Sequence, residues 1–137
     1  MKTFPFNASL TILLSMIQIS SYAADGDKSC EKVFSDIYKN RVWGTNEKGE
    51  GTSGPGSAEE HTKKYVVFLQ KFMTERDIKS VVDAGCGDWE ISRFINWDGI
   101  QYQGYDVVKS LIDKNQQKYA KANISFISLQ KNRATIV

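Results

Sequence analysis

The chain has 137 residues, which is enough for one domain and too few for two complete ones. Its 18 Lys and Arg residues against 16 Asp and Glu leave a formal net charge of +2, which excludes a polybasic nucleic-acid arm and an acidic tail. Two cysteines, Cys30 and Cys86, are too few for a disulfide scaffold, and one histidine excludes every two-histidine metal motif. We therefore predict a globular protein without a metal site.

The first 23 residues have the three-part plan of a secretory signal peptide. Lys2 supplies a positive start, Leu10–Ile19 is mostly apolar, and Ser21–Ala23 offers small residues where a signal peptidase cleaves. The apolar run is about 10 residues, well under the roughly 20 that span a bilayer, so we predict no stable membrane span. The alternative is a buried helix or an ordinary chain terminus. The pattern favours a bacterial protein that is exported, either to the periplasm or out of the cell.

Helical patterns follow the signal. Apolar residues at helical spacing predict a helix over Cys30–Asn40, and Gly44–Gly56, with five of the ten glycines, comes next. The segment Gly44–Ser57 has two interpretations, a flexible connector or a mobile lid over a ligand. Ser57 and Glu60 predict a capping box that opens a second helix. The buried stripe of that helix is predicted to be Tyr65, Phe68, Leu69, Phe72 and Met73.

Three strand patterns then alternate with helical ones. Ser80–Ala84 is a β-branched run that suits a buried parallel strand, and 102–106 and 124–129 predict two more strands. Asp88 is predicted to cap a helix after the first of these strands, and Ser110–Ala122 predicts a further helix. The buried side chains of the helix after Asp88 would be Ile91, Phe94 and Ile95. This order of elements predicts an α/β fold with a parallel sheet and right-handed crossovers.

The turn after the first of these strands carries the most informative pattern. Gly85 and Gly87 tolerate positive φ and leave no Cβ in the way, so a ligand can lie against the backbone there. The helix expected next would aim free N–H groups and a partial positive charge at the same place, which suits a carboxylate or a phosphate. Asp106, at the end of the next strand, can accept hydrogen bonds from both hydroxyls of a ribose. The pattern predicts a site for a nucleoside with an anionic group.

Other nucleotide motifs fit less well. A dinucleotide fingerprint needs a small residue at the sixth position from Gly85, where Glu90 stands, so a nicotinamide-dependent oxidoreductase is only the third hypothesis. No Gly-Lys-Ser/Thr follows, which excludes a Walker A loop. Cys86 is interpreted as a small buried residue rather than a nucleophile, because no histidine is near it in sequence to activate it. The aromatic residues have no basic cluster beside them, so no nucleic-acid partner is predicted.

The sequence Asp83-Ala84-Gly85-Cys86-Gly87, after a strand and before an expected helix, resembles motif I of the class I S-adenosylmethionine-dependent methyltransferases. The resemblance covers about Trp43–Leu129. It implies a Rossmann-like fold, S-adenosylmethionine as the cofactor, Asp83 near the amino-acid end of that cofactor, and Asp106 on its ribose. The cofactor-binding residues that it implies are Asp83, Gly85, Cys86, Gly87 and Asp106.

The chain departs from the family at two positions. Trp89 stands where many members have a third glycine, and Gln130 stands where an acidic residue usually reads the adenine amino group. In this family the sheet continues beyond the third strand, and most substrate residues follow the later strands. The chain ends soon after its third predicted strand, so we expect only the N-terminal half of the fold, with strand order 3-2-1, and can assign no catalytic residue.

The expected organisation is a signal peptide over 1–23, an N-terminal helix and glycine-rich loop over 24–57, and a partial methyltransferase domain over 58–137. The first predicted strand would lack a neighbour on one side. That open edge, with Val81 and Val82 poorly covered, predicts self-association.

Two functional hypotheses remain at this stage, and whether the chain is an enzyme is left open. The first is a methyltransferase, or the cofactor-binding half of one, with an unknown methyl acceptor. The second is a non-catalytic remnant or a nucleoside-binding module. Since S-adenosylmethionine is made in the cytosol, an exported methyltransferase would have to act after delivery into a host cell.

Overall fold

The computed structural model describes residues 9–13, 29–45 and 53–129. These residues form an α/β fold, as predicted, with a parallel sheet and flanking helices. Two short 3-10 turns, Pro55–Ser57 and Ser92–Phe94, lie between the longer elements. The strands and helices are β1 (Ser9–Leu13), α1 (Cys30–Lys39), α2 (Glu59–Glu75), β2 (Ser80–Ala84), β3 (Gln101–Asp106), α3 (Lys109–Tyr119) and β4 (Ile124–Ser128).

The sheet has the order β1-β2-β3-β4, and every pairing is parallel. The three strands predicted from the sequence are β2, β3 and β4, and they lie side by side in the predicted order. In this register Asp83 of β2 is beside Gly104 of β3, which in turn is beside Phe126 of β4. The carboxyl ends of β2 and β3 therefore lie next to each other at one end of the strands, and the candidate site residues lie there.

The expectation of an open edge on the first predicted strand is wrong for the described chain. Ser9–Leu13 pairs with that strand along its whole length, from Ser9 beside Ser80 to Leu13 beside Ala84. β1 falls inside the predicted signal peptide, residues 1–23, whose other residues lie outside the described part of the chain. The signal peptide itself stays a prediction.

The hydrophobic core lies on one face of the sheet. Val81, Tyr102 and Phe126 point from neighbouring strands into this core, and α2 and α3 pack their buried side chains against them. Val81 is only 1% exposed, so the expectation that it would be poorly covered is wrong. The helices, the core strands and the segment after β2 contribute Leu69, Met73, Ile112, Ile124, Trp89, Ile95 and Trp97.

The described residues cover the opposite face of the sheet, here called the open face, only in part. Val82, Tyr105 and Ile127 point to this side, and no residue of β2, β3 or β4 on it is buried. Tyr105 donates a hydrogen bond to Gln103 on the same face, at 2.6 Å. The prediction that Val82 would be incompletely covered is therefore confirmed for the described residues.

α2 begins and packs differently from the prediction. The N-cap is Ala58, and the Ser57 hydroxyl donates to the carbonyl of Ser53 at 3.1 Å, so no capping box forms. Leu69 and Met73 are buried as predicted, but Phe68 is 62% exposed. The buried residues of α2 are Thr62, Leu69 and Met73, Val66 is partly buried against the core, and Tyr65 is 37% exposed.

The helix predicted after Asp88 does not form. Gly87 and Trp89 have φ values of +56° and +59°, which a right-handed helix cannot contain, and only the 3-10 turn Ser92–Phe94 follows. Burial of Trp89 explains the difference, because its ring packs against Tyr102, Tyr119 and Phe126 with centroids 4.8 to 5.5 Å away. Phe94, expected inward, is 38% exposed.

The remaining elements match their predictions closely. α1 begins after Ser29, whose side chain accepts a hydrogen bond from the backbone of Lys32. α3 buries Leu111 and Ile112. Within the described residues, none of the helices combines the length and the apolar character that a membrane crossing requires.

Candidate functional site

The glycine turn, Gly85–Gly87, follows β2 and has the predicted backbone. Gly85 has φ +87° and Gly87 has φ +56°. Its amide groups, however, are already engaged. Those of Gly85 and Cys86 both donate to the carbonyl of Tyr105, at 2.7 and 3.0 Å, and that of Gly87 donates to Asp106 Oδ2 at 2.9 Å. The expectation of free N–H groups for an anionic ligand is therefore wrong, and so is the helix terminus that was to supply them.

Asp106 ends β3 and binds the glycine turn from the side. Its side chain is 7% exposed, and its second oxygen, Oδ1, accepts a hydrogen bond from the amide of Val108 at 2.8 Å. The carboxylate thus fixes the turn to the loop that begins α3. A carboxylate oxygen can accept more than one hydrogen bond, so this role leaves acceptor capacity for a ligand hydroxyl.

Asp83 lies near the end of β2 on the core face of the sheet. It is 7% exposed, and Oδ2 accepts a hydrogen bond from the Tyr102 hydroxyl at 2.7 Å. Oδ1 is buried and accepts no hydrogen bond of ordinary geometry from the described residues, although the Ser92 hydroxyl lies near enough to lower the pKa of this carboxyl. Burial raises the pKa of the Asp83 carboxyl, while the bond from Tyr102 works in the opposite direction. A buried acceptor without a partner is costly, so this oxygen is the strongest candidate for a ligand contact.

Cys86 packs against the sheet rather than serving as a nucleophile. Its Sγ lies 3.0 Å from the point where a Cβ on Gly104 would stand. Burial, together with the charges of Asp83 and Asp106, raises the pKa of the thiol. The thiol therefore stays protonated at neutral pH, in keeping with the interpretation of Cys86 as a small buried residue.

The two glycines of the turn face different surroundings. A Cβ on Gly85 would have no heavy atom within 4 Å, and this residue is exposed. A Cβ on Gly87 would lie 2.8 Å from the Tyr38 hydroxyl and 3.2 Å from Ser53 Oγ. Gly85 thus borders open space that a ligand can enter, whereas Gly87 is covered by α1 and by the segment that precedes α2.

Tyr38, Ser53 and Asp88 form a hydrogen-bonded group over Gly87 that the sequence analysis missed. Ser53 Oγ donates to Asp88 Oδ1 at 2.7 Å and lies 3.1 Å from the Tyr38 hydroxyl. Asp88 was predicted to cap a helix, but its carboxylate instead accepts the hydrogen bond from the Ser53 hydroxyl. Burial raises the pKa of Tyr38, and so do the charges of Asp88 and Asp106. No local pattern signals this group, because its members are 15 and 35 positions apart.

The glycine-rich segment is described only at its ends. Residues 46–52, which make up half of the lid predicted over Gly44–Ser57, lie outside the described part of the chain. The two ends are adjacent, because a Cβ on Gly54 would lie 3.1 Å from the carbonyl oxygen of Trp43. The segment therefore leaves and returns to the same place beside α1.

The electrostatic character of the site is negative. Asp83, Asp88 and Asp106 surround the turn, each 7 to 8% exposed. Neither Asp83 nor Asp106 takes part in any ion pair of the described residues, and Arg93 is paired with Glu90 at 2.6 Å. No group of His, Cys, Asp and Glu in the described part of the chain is arranged to hold a metal ion. Asp83 and Asp106, buried carboxylates without a basic partner among the described residues, favour a ligand with positive charge.

The five predicted site residues lie close together, at the glycine turn that follows β2 and at the carboxyl end of β3 beside it. No family model matches the chain, and a search of curated proteins also found no match.

Proposed function

We propose that this site binds a nucleoside with a cationic group, and that the ligand is S-adenosylmethionine in a Rossmann-like domain of the class I methyltransferase type. The observation that carries the proposal is the pair of buried carboxylates, Asp83 and Asp106, beside the open space at Gly85. The parallel order of β2, β3 and β4 and the motif Asp83–Gly87 also support it.

Charge separates this ligand from its competitors. S-adenosylmethionine has a sulfonium and an ammonium group, whereas NAD has a pyrophosphate that needs backbone N–H donors. The amides of Gly85, Cys86 and Gly87 are already bonded to protein acceptors. A pyrophosphate would therefore meet carboxylates and no donors from these three residues. This argues against the nicotinamide hypothesis and replaces the anionic group that the sequence pattern predicted.

Each residue has a role in the proposed complex. Asp106 accepts hydrogen bonds from the ribose hydroxyls while it continues to hold Gly87. Asp83 Oδ1, which accepts no hydrogen bond of ordinary geometry from the described residues, receives the ligand's ammonium group at the amino-acid end. Gly85 lets the ligand lie against the backbone, and the Cys86 thiol packs behind the turn. Gly87 is reassigned, because its open side is filled by Tyr38 and Ser53.

The chemistry that this chain contributes is binding and orientation. In a methyltransferase the sulfonium methyl is transferred in line to a nucleophile of the acceptor, and catalysis depends mainly on positioning of the two partners. Asp83 would fix the amino-acid end of the cofactor and Asp106 its ribose. We propose no acceptor and no catalytic base. Export, and action inside a host cell after delivery, stay proposals from the N-terminal sequence.

Calorimetric titration of the full chain tests the proposal. We expect S-adenosylmethionine and S-adenosylhomocysteine to bind and NAD to fail. Asp106→Ala should weaken binding by about 1.5–3 kcal/mol, the range for a hydrogen bond to a charged group. Asp98→Ala, at an exposed position in the turn before β3, is the control.

Equal binding of NAD, or unchanged affinity in a folded Asp106→Ala variant, would contradict the assignment. If S-adenosylmethionine binds and no methyl transfer to candidate acceptors is found, the result supports the second hypothesis, a binding module without catalysis.

A further inference from the structure

We propose that Tyr38, Ser53 and Asp88 form a clasp that holds α1 and the segment Ser53–Ser57 against the glycine turn, and that the clasp thereby fixes one wall of the ligand site. The first half of this proposal is independent of the ligand's identity. The second half, the wall, rests on the proposed function.

The protons of the clasp have one arrangement. An ionised carboxylate only accepts, so the single hydroxyl proton of Ser53 goes to Asp88 Oδ1, 2.7 Å away. Ser53 Oγ then has only lone pairs for Tyr38, so the phenol must donate across the 3.1 Å contact. Burial raises the pKa of Tyr38, which keeps this proton on the phenol at neutral pH. The chain of donors therefore runs from Tyr38 through Ser53 to Asp88.

The clasp joins three separate parts of the chain. Ile37 is the one buried side chain of α1. Tyr38 follows it in α1, Ser53 belongs to the segment before α2, and Asp88 belongs to the turn after β2. Each bond is partly buried, so loss of Ser53 would remove a hydrogen bond from Tyr38 and one from Asp88 at once. We infer that Ser53 is the central member.

The clasp reaches the ligand site through Gly87. This residue is buried, and a methyl group on it would lie 2.8 Å from the Tyr38 hydroxyl, closer than ordinary contact allows. Asp106, the proposed ribose acceptor, binds the amide of Gly87 and also raises the pKa of Tyr38 by its charge. The clasp and the proposed ligand thus contact opposite sides of the same turn. Tyr38, Ser53 and Asp88 are positioning residues in this proposal.

The test compares four variants of the full chain. Ser53→Ala removes the central hydroxyl, and Tyr38→Phe removes only the terminal donor while it keeps the ring. Ser53→Thr retains a hydroxyl and should restore the wild-type behaviour. Ser57→Ala is the matched control, because its hydroxyl bonds only to the Ser53 carbonyl within the same segment. The measurements are amide hydrogen exchange of α1 without added ligand and calorimetric affinity for S-adenosylhomocysteine.

The two measurements decide the two halves separately. We expect Ser53→Ala and Tyr38→Phe to speed exchange in α1 by about tenfold, as loss of a buried hydrogen bond would. Ser53→Ala should also weaken S-adenosylhomocysteine binding by about tenfold. Exchange in Ser53→Ala equal to that in Ser57→Ala would overturn the clasp. Faster exchange with unchanged affinity would overturn the wall. If the wild-type chain does not bind S-adenosylhomocysteine, the proposed function and the wall both fail, and the exchange data still decide the clasp.

Discussion

Gly85 and Gly87 occupy similar backbone conformations and yet have different tasks. Both are left-handed, but only Gly85 faces open space, and Gly87 lies under Tyr38 and Ser53. The sequence motif cannot separate the two, since each is a glycine in the same short turn. What separates them is contact with α1, which comes from far along the chain.

We predict different outcomes for alanine at the two glycines. A left-handed alanine costs about 1–2 kcal/mol, so both variants should lose stability. Gly85→Ala should abolish or greatly weaken S-adenosylhomocysteine binding, because its methyl group fills the ligand's space. Gly87→Ala should instead free α1, measured as faster hydrogen exchange. Gly99→Ala is the control for backbone strain, with φ +74° and no heavy atom within 4 Å of the new methyl group. Binding by Gly85→Ala as tight as by Gly99→Ala would contradict the assignment.

Asp83 should make the stability of the fold depend on pH. Burial raises the pKa of this carboxyl, so between its unfolded and folded pKa values the folded chain binds more protons than the unfolded chain. The free energy of unfolding therefore falls as pH rises through that window, which begins near the ordinary aspartate value of about 4.

Asp83→Asn removes this titration and keeps the shape of the side chain. We expect the variant to gain stability relative to the wild type as the pH rises above about 4. Urea denaturation at several pH values measures the difference, with Asp98→Asn, at an exposed position, as the control. A difference that stays constant with pH, or that changes in the other direction, would disprove the expected role of burial.

At the scale of elements, α2 offers a direct comparison of neighbouring residues. Leu69 is 6% exposed and Phe68 is 62% exposed, although the sequence pattern placed both in one buried stripe. Leu69→Ala should cost about 2–5 kcal/mol, as in other buried leucines. Phe68→Ala should change stability by less than about 0.5 kcal/mol, as at ordinary surface positions. Urea denaturation of the two variants checks this, and equal losses would place Phe68 in the core after all.

The elements show which features of the fold could be predicted. β2, β3, β4 and α3 follow from local patterns, because a β-branched run or a helical spacing needs no distant partner. The helix after Asp88 could not be excluded from the sequence, because burial of Trp89 against Tyr102 and Phe126 depends on other strands. The site residues were found for a similar reason, since a glycine turn and an acidic strand end are local signals. The clasp has no such signal.

At the scale of the whole molecule, the two edges and the two faces of the sheet differ in coverage. β1 pairs with β2 on one side of the sheet. On the other side, where β4 is the outer strand, the Gln116 side chain accepts a hydrogen bond from the backbone amide of Phe126 at 3.1 Å. On the open face, which holds Val82, Tyr105 and Ile127, no residue of β2, β3 or β4 is buried. Self-association through this face is therefore more favourable than through an edge.

We predict that the full chain self-associates and that Ile127→Gln reduces the association. Ile127 is 38% exposed on the open face, so the variant removes apolar area without opening the core. Sedimentation velocity over a range of concentrations measures the effect, and Val67→Gln, on the exposed side of α2, is the control. A monomer that unfolds cooperatively above ~65 °C, the top of the usual mesophile range, would contradict the prediction.

The contact between Trp43 and Tyr38 has an optical consequence. Trp43 is 40% exposed and its ring lies 5.4 Å from that of Tyr38, whereas Trp89 and Trp97 are 5% and 3% exposed. These are the three tryptophans of the chain. Two of them therefore emit fluorescence from the core, and Trp43 emits from beside Tyr38. A quencher in solution, such as iodide, would reach Trp43 first. Movement of α1 would then change fluorescence from one residue against a steady background from the other two, which gives the protein a built-in reporter that needs no added dye.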